Sequence, residues 1–467
     1  MAQRKDLLVL NVVGLTRSLL ARFPGRARAI EGLAKEGASA TLGTVLPAVT
    51  CSVQSTFLTG LMPRDHGIVA NGWYFRELAE VHFWKQSNHL VSGEKLWQTA
   101  RRRDPAFTSA QICWWYNMYS TNDCAVTMRP YEGGGGVVSL LYTQPPEMAG
   151  QLQAELGAFP LFDFWGPRAG IASSEWIERC ARSVRRRVKP TLTLVYLPHL
   201  DYNLQRLGPD DPRIGDDLAA IDTVVGRLAV EARALGTEVV VLSEYGMSPV
   251  GGAVDINRIL RRAGYLRVQD QLDWELLDAG ASRAFAVSDH QVAHVYVRDA
   301  KDLSAVKELL TKTPGIERVL DADGLKEAGL DHPRSGELLA VSAPDRWFTY
   351  YYWEDDRKAP GWAHEVDIHS KPGYDPLELF LDPRAPLKVP RMVTRLALRK
   401  LGFNVGPIMT FVPFDAKLIK GCHGRLPDAR EDGPVFITSA RDAGLPEHLP
   451  ATEVKGTLLR LLFGASS

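Results

Sequence analysis

Thr50 places a hydroxyl where a nucleophile would be useful. It opens the run Thr50-Cys51-Ser52-Val53-Gln54-Ser55-Thr56-Phe57-Leu58-Thr59, directly after Thr44-Val45-Leu46-Pro47 and Ala48-Val49. The spacing predicts an extended stretch over 44–47 that Pro47 ends, because proline cannot donate to a ladder. A short helix follows, with Val53, Phe57 and Leu58 on one face, closed by Gly60 and stopped by Pro63. A hydroxyl at such a junction sits among free backbone N–H groups and the positive end of the helix, where an anion is attracted. That suits phosphoryl or acyl transfer. The same position suits a plain N-cap, and Thr50 alone reads either way. Three more polar residues end apolar runs: Asn11 after Leu7–Leu10, Asp201 shortly after Leu192–Leu197, and Glu244 after Glu238–Leu242. Their convergence favours the nucleophile, since open α/β sheets bind ligands at the carboxyl ends of their strands.

The elements that must position these residues alternate. Strand-like runs at 7–10, 109–115, 192–197 and 238–242 are interleaved with helical runs at 19–37, 94–103, 173–187 and 216–235. Several of these strands lack polar alternation, as strands covered on both faces do. The expected fold class is therefore α/β, a mostly parallel central sheet flanked by helices. Trp73–Trp84 reads as aromatic and extended, and Gly133–Gly136 as a loop. The texture changes near Gly251, with strand-like runs at 284–297, 336–341 and 347–353 and a helix at 303–313. This predicts an α+β insertion or cap over 251–401, with a Pro- and basic-rich excursion from 359 to 401. The core would comprise 1–250 and 402–467.

Lys plus Arg and Asp plus Glu each total 55, and no long run has one sign. Nothing in that balance points to nucleic acid or an anionic membrane as partner. No apolar run approaches the length of a membrane span. Five cysteines without CxxC spacing read as reduced thiols in a cytoplasmic protein.

Taken in order, Asn11, Thr50, Asp201 with Gln205, Glu244 with Tyr245, and His423 resemble the alkaline phosphatase superfamily, in particular its nucleotide pyrophosphatase/phosphodiesterase branch. The nucleophile block carries the likeness best: Pro47-x-x-Thr50, Thr59-Gly60-x-x-Pro63 and His66-Gly67-Ile68-x-x-Asn71. Asp201 to Pro209, Ser243-Glu244-Tyr245-Gly246-Met247 and His423-Gly424 match three further blocks. The resemblance implies a hydrolase of phosphate diesters or pyrophosphates with Thr50 as nucleophile, acting on a small phosphorylated molecule. It also implies divalent ions, normally two and usually zinc. One set of ligands would be Asp201, Gln205 and His423, the other Asn11, Thr50, Glu244 and Tyr245.

The departures bear on that metal. Asn11 stands where the family has Asp, Gln205 where it has His, Glu244 where it has Asp, Tyr245 where it has His, and Val53 where it has a phosphate-binding Asn. Two carboxylates then face the four charges of two divalent ions, and oxygen donors replace nitrogen. The expectation is one ion at Asp201/Gln205/His423, of zinc, manganese or magnesium, with the second site weak or empty. His369, in a polar loop, is a further candidate ligand. His290, His294, His66 and His199 read as structural. Trp114-Trp115-Tyr116 and Tyr350–Trp353 read either as an aromatic wall over the pocket or as ordinary core and sheet aromatics, with the second reading favoured. The alternatives are a relative that binds a phosphorylated metabolite without turnover, and a phosphonate hydrolase or phosphate transferase.

Overall fold

Leu7–Val12 is buried along its whole length, and its side chains alternate between two cores. Leu8, Leu10 and Val12 pack with helices Arg28–Glu36, Ile171–Val188 and Ile214–Ala234 on one face. Leu7 and Val9 pack with helices Thr50–Thr59, Leu96–Arg103 and Val454–Phe463 on the other. The two-residue period of a strand thus buries both faces, which is why the run carries no polar residue before Asn11. The structure, a computed structural model, describes residues 4–133, 136–382, 394 and 412–464.

Leu7–Val12 lies inside a nine-stranded sheet, paired in parallel with Leu192–Leu197 and Glu238–Leu242. Ser109–Ile112 continues the parallel core beyond Leu192–Leu197, and Cys124–Gly133 beyond that. Ala38–Leu42 and Val435–Thr438 are antiparallel additions on the other side. A second sheet, of four antiparallel strands, is built from Ala284–Asp289, Val292–Val297, Leu338–Ser342 and Ile316–Leu320. The α/β expectation with a mostly parallel sheet holds.

Several local expectations differ. The helix over 19–37 is two helices, Arg17–Arg22 and Arg28–Glu36, because Pro24 cannot continue a helix and Gly25 takes φ +75°. The strand precedes 44–47: it is Ala38–Leu42, and Thr44 instead hands its hydroxyl proton to the Glu244 carbonyl at 2.9 Å. Trp73–Trp84 is a hairpin, Gly72–Phe75 with Glu80–Phe83. Gly133 and Gly136, expected in a loop, pair with each other at the ends of two antiparallel strands, and 134–135 between them lie outside the described residues. Only Arg346–Phe348 of the 347–353 run is strand. Most of the stretch from 383 to 411 lies outside the described residues, including much of the excursion and the first residues of the expected 402–467 core piece. Among the described residues no helix is long and apolar enough to cross a membrane. All five cysteines are buried and unpaired.

Candidate active site

Helix Thr50–Thr59 starts one residue earlier than an N-cap at Thr50 requires. Val49 is the cap residue and supplies no side-chain bond. The Thr50 hydroxyl is therefore not spent on its own helix, and it lines a cavity at the carboxyl edge of the parallel strands. Strand alternation sends Asn11 to the same face as this helix, and Glu244 follows two residues after Leu242, the register neighbour of Asn11. The three meet: Asn11 Nδ2 and Gln54 Nε2 both donate to Glu244 Oε1, each at 2.5 Å. Gln54 is fixed in turn by accepting from the Trp115 backbone N–H at 2.8 Å.

Asp201 belongs to the first turn of helix His199–Leu207 and not to the strand end, so Gln205 lies one turn along on the same face. Gln205 Nε2 donates to Asp201 Oδ2 at 2.6 Å, and Tyr374 OH donates to Gln205 Oε1 at 2.9 Å. Tyr245 OH donates to Asp201 Oδ1 at 3.1 Å and stands 3.4 Å from Thr50 Oγ1, linking the two halves of the site. His423 donates from Nδ1 to the Ala48 carbonyl at 2.8 Å, which leaves its Nε2 lone pair 3.8 Å from Asp201 Oδ1. The Tyr245 ring covers one face of that imidazole. His290 covers the other at 3.8 Å and is itself covered by Tyr374 at 3.6 Å.

Burial sets the charges. Removal from water pushes the Asp201 carboxyl up to about 6 and Glu244 up to about 7, against hydrogen bonds that pull both down. Asp289, behind the site, is also pushed up to about 6 by burial. It accepts from Asn71 N and Nδ2 and pairs with His290 Nδ1 at 2.7 Å. Burial holds His423 and His290 well below the usual imidazole range.

The structure thus brings together Asn11, Thr50, Asp201, Gln205, Glu244, Tyr245 and His423. His369 is not among them: it is exposed, its backbone N–H bonds Asp367, and its neighbour Ile368 lines the cavity instead. His294 and His66 do hold local structure, through Val69 O and Thr56 Oγ1. His290 does not stay in the background, and Gln54, Asn71, Trp84, Trp165 and Tyr374 were not singled out for the site. Among them only Asn71 falls in a recognisable block. Trp115 lines the cavity, whereas Trp114 is core.

The cavity at Thr50 holds about 50 Å³, enough for water or one small group. A larger one of about 370 Å³ opens behind Tyr245, lined by Thr16, Arg22, Ser248 and Asp428, and Thr50 does not reach it. Thr50, Asp201, Tyr245 and His423 all line the smaller space. The donors around it do not fit a two-ion centre, because both Asp201 oxygens and Glu244 Oε1 are already met by N–H and O–H groups, which leaves Glu244 Oε2 and Asn11 Oδ1 buried without a partner. Among the described residues no three His, Cys, Asp or Glu side chains converge as metal ligands would.

A sequence profile of the type I phosphodiesterase / nucleotide pyrophosphatase family matches residues 7–375. An uncharacterised pyrophosphatase/phosphodiesterase of Schizosaccharomyces pombe is 24% identical over 215 residues, 44% of this chain. That match spans about 37% of the length of the yeast protein. Phosphonoacetate hydrolase from Sinorhizobium meliloti, solved with phosphonoformate, superposes with a TM-score of 0.63 at 15% identity, over 99% of this chain and 96% of that one. Murine ectonucleotide pyrophosphatase / phosphodiesterase 5, an inactive variant solved with AMP, superposes with a TM-score of 0.59 at 14% identity, over 98% of this chain and 95% of that one.

Proposed function

Because the chain belongs to the type I phosphodiesterase / nucleotide pyrophosphatase family, we propose that it hydrolyses a small phosphate diester, pyrophosphate or phosphonate with Thr50 as the nucleophile. The observation that carries this is the Thr50 hydroxyl itself. It is free of any capping duty, opens a helix, and faces a cavity edged by Glu244, Tyr245 and Asp201. Glu244 takes the Thr50 proton as Oγ1 bonds to phosphorus and the P–O bond to the leaving group breaks. Tyr245 OH and the first N–H groups of helix 50–59 face the charge that gathers on the phosphoryl oxygens. Asp201 in its protonated form gives its proton to the leaving oxygen. Water then attacks the phosphothreonine and gives its proton to the Asp201 carboxylate, while Glu244 returns its proton to Thr50 as the Oγ1–P bond breaks. The cavity's about 50 Å³ would take the phosphoryl group, and a flat leaving group would lie against the rings of Trp84, Trp115, Trp165 and Tyr374 at its edge. The 251–401 segment acts as a cap, since His290 and Tyr374 reach the site from it. Five buried, unpaired thiols agree with a reducing compartment.

The experiment is turnover of nitrophenyl phosphodiesters and phosphonates by the wild-type protein and Thr50→Ala. The variant should lose at least about a hundredfold in kcat while still binding AMP. Equal turnover by the two proteins removes Thr50 from the reaction. One observation favours a second reading, a binding protein without turnover: two amide N–H groups rest on Glu244 Oε1, and each weakens the carboxylate as a base. AMP binding by a wild-type protein that turns over none of these esters would establish that reading.

A further inference from the structure

The carboxylates of this site face amides, and an amide facing a carboxylate has one workable orientation. A carboxylate only accepts, so Gln205 must offer Asp201 its NH2 group, and Asn11 and Gln54 must do the same for Glu244. The amide oxygens, the atoms that would coordinate a cation, therefore turn away from the carboxylates. For Gln205 that oxygen is taken by Tyr374 OH. Tyr245 completes the arrangement, with its hydroxyl on Asp201 and its ring flat on His423.

We infer that hydrogen bonds from Asn11, Gln54, Gln205 and Tyr245 have taken over the part that divalent cations would play here, so that the site binds its phosphoryl ligand without a bound divalent ion. The inference rests on reading this pocket as the phosphoryl site. Each carboxylate needs compensation where it is buried: one N–H and one O–H meet the two oxygens of Asp201, and two N–H groups meet Oε1 of Glu244, whose Oε2 has no partner. A cation at Asp201 would meet donor protons in place of lone pairs, and at Glu244 it would find two free oxygens, Glu244 Oε2 and Asn11 Oδ1. His423 Nε2 is still a free acceptor, but one imidazole beside one saturated carboxylate falls short of the three or four protein ligands of a zinc site. Two divalent ions would also leave two positive charges uncompensated by Asp201 and Glu244 alone. The rings of Tyr245, His423, His290 and Tyr374 follow one another at centroid distances of 3.5, 3.8 and 3.6 Å, the middle pair tilted by 37°, so the imidazole cannot swing toward an ion without breaking contacts with both neighbours.

The test is metal content. Full-length protein is equilibrated with zinc or manganese, desalted and analysed by mass spectrometry for metal. Wild type should retain less than about 0.2 equivalents, unchanged in Asp201→Asn. Restoring the family ligands together, as Asn11→Asp, Gln205→His, Glu244→Asp and Tyr245→His, should raise retention to between about one and two equivalents. A wild-type protein that holds about one equivalent or more, lost in Asp201→Asn, overturns the inference. Because the fourfold variant can fail to fold, AMP binding by wild type is also measured with and without chelator. A Kd unchanged within about twofold supports the inference, and a loss of about tenfold or more on chelation overturns it. Failure to bind AMP or turn over any ester would instead defeat the reading of the pocket, and the metal content would still stand as measured.

Discussion

The Tyr245 ring lies flat on the His423 imidazole, with centroids 3.5 Å apart and planes within 7°. The phenol therefore does two things at once: its ring packs against the histidine, and its hydroxyl bridges Asp201 and Thr50. Substitutions separate them. Tyr245→Phe keeps the ring, should cost about 1–3 kcal/mol because Asp201 Oδ1 loses its donor, and should lower kcat about tenfold through the lost hydroxyl. Tyr245→Ala removes the ring as well and should cost about 3–5 kcal/mol in urea unfolding, as truncation of a buried aromatic does. Equal kinetics for Tyr245→Phe and wild type would show that the hydroxyl only supports the fold.

Glu244 gives a prediction whose sign depends on what compensates it. Its carboxyl is pushed up to about 7 in the folded chain, from 4.5 when exposed. The folded state then holds a proton that the unfolded state releases, so stability falls as pH rises from the lower value to the higher. Glu244→Gln has no proton to lose and its Oε1 still accepts from Asn11 and Gln54. At pH 8 it should be more stable than wild type by roughly 1–3 kcal/mol, and at pH 4 the difference should vanish. Paired thermal melts across pH check this. A variant less stable than wild type at pH 8 would point to a cation resting on that carboxylate.

The strands were legible because their apolar runs are continuous, and Leu192–Leu197 and Glu238–Leu242 match the expected limits. Asn11 and Glu244 were legible for the same reason: a polar residue that ends a buried run has few structural excuses. Thr50 was legible from its place at a helix start, although the stretch before it is not a strand. Of the aromatic wall only Trp115 was legible. Tyr374 reaches Gln205 from 169 positions away, and a tyrosine in a Pro-Gly loop has no periodicity to announce where it points. His290 read as structural because its strand, Ala284–Asp289, looked like ordinary core. It follows that strand with φ +62°, a turn that places its ring on His423. His369 looked like a ligand for its polar neighbours, but those neighbours make local turns and leave it exposed.

Lys371 ties down the loop that carries Tyr374. It is fully buried, with Nζ 2.8 Å from Asp375 and 2.6 Å from Glu378, and Glu378 also accepts from Trp165 Nε1 at 2.5 Å. Lys371→Met leaves two buried carboxylates without their cation and should cost about 3–5 kcal/mol. The same change should free Trp165 and Tyr374, two of the rings over the cavity. Hydrogen exchange should then speed up across 361–380, and KM should rise more than kcat falls. Unchanged exchange there would mean that the loop is held by packing alone.

The pH profile tests the assignment of base and acid. Glu244 must be ionised to take the Thr50 proton, and Asp201 must be protonated to release the leaving group. Their carboxyls lie at about 7 and about 6, so acid favours one requirement and base the other. Below about 6 both groups are protonated and Glu244 cannot accept, while above about 7 Asp201 has lost its proton. The productive form, Glu244 ionised with Asp201 protonated, is a minor one at every pH, and its share peaks between the two values. Hydrolysis of an ester with a poor leaving group should therefore follow a narrow bell centred near pH 6.5, midway between them. With nitrophenolate as leaving group the proton from Asp201 is not needed, and the alkaline limb should disappear. Asp201→Asn should flatten the same limb for the poor leaving group and leave the acid limb in place. A bell that survives both changes would assign the acid to another group.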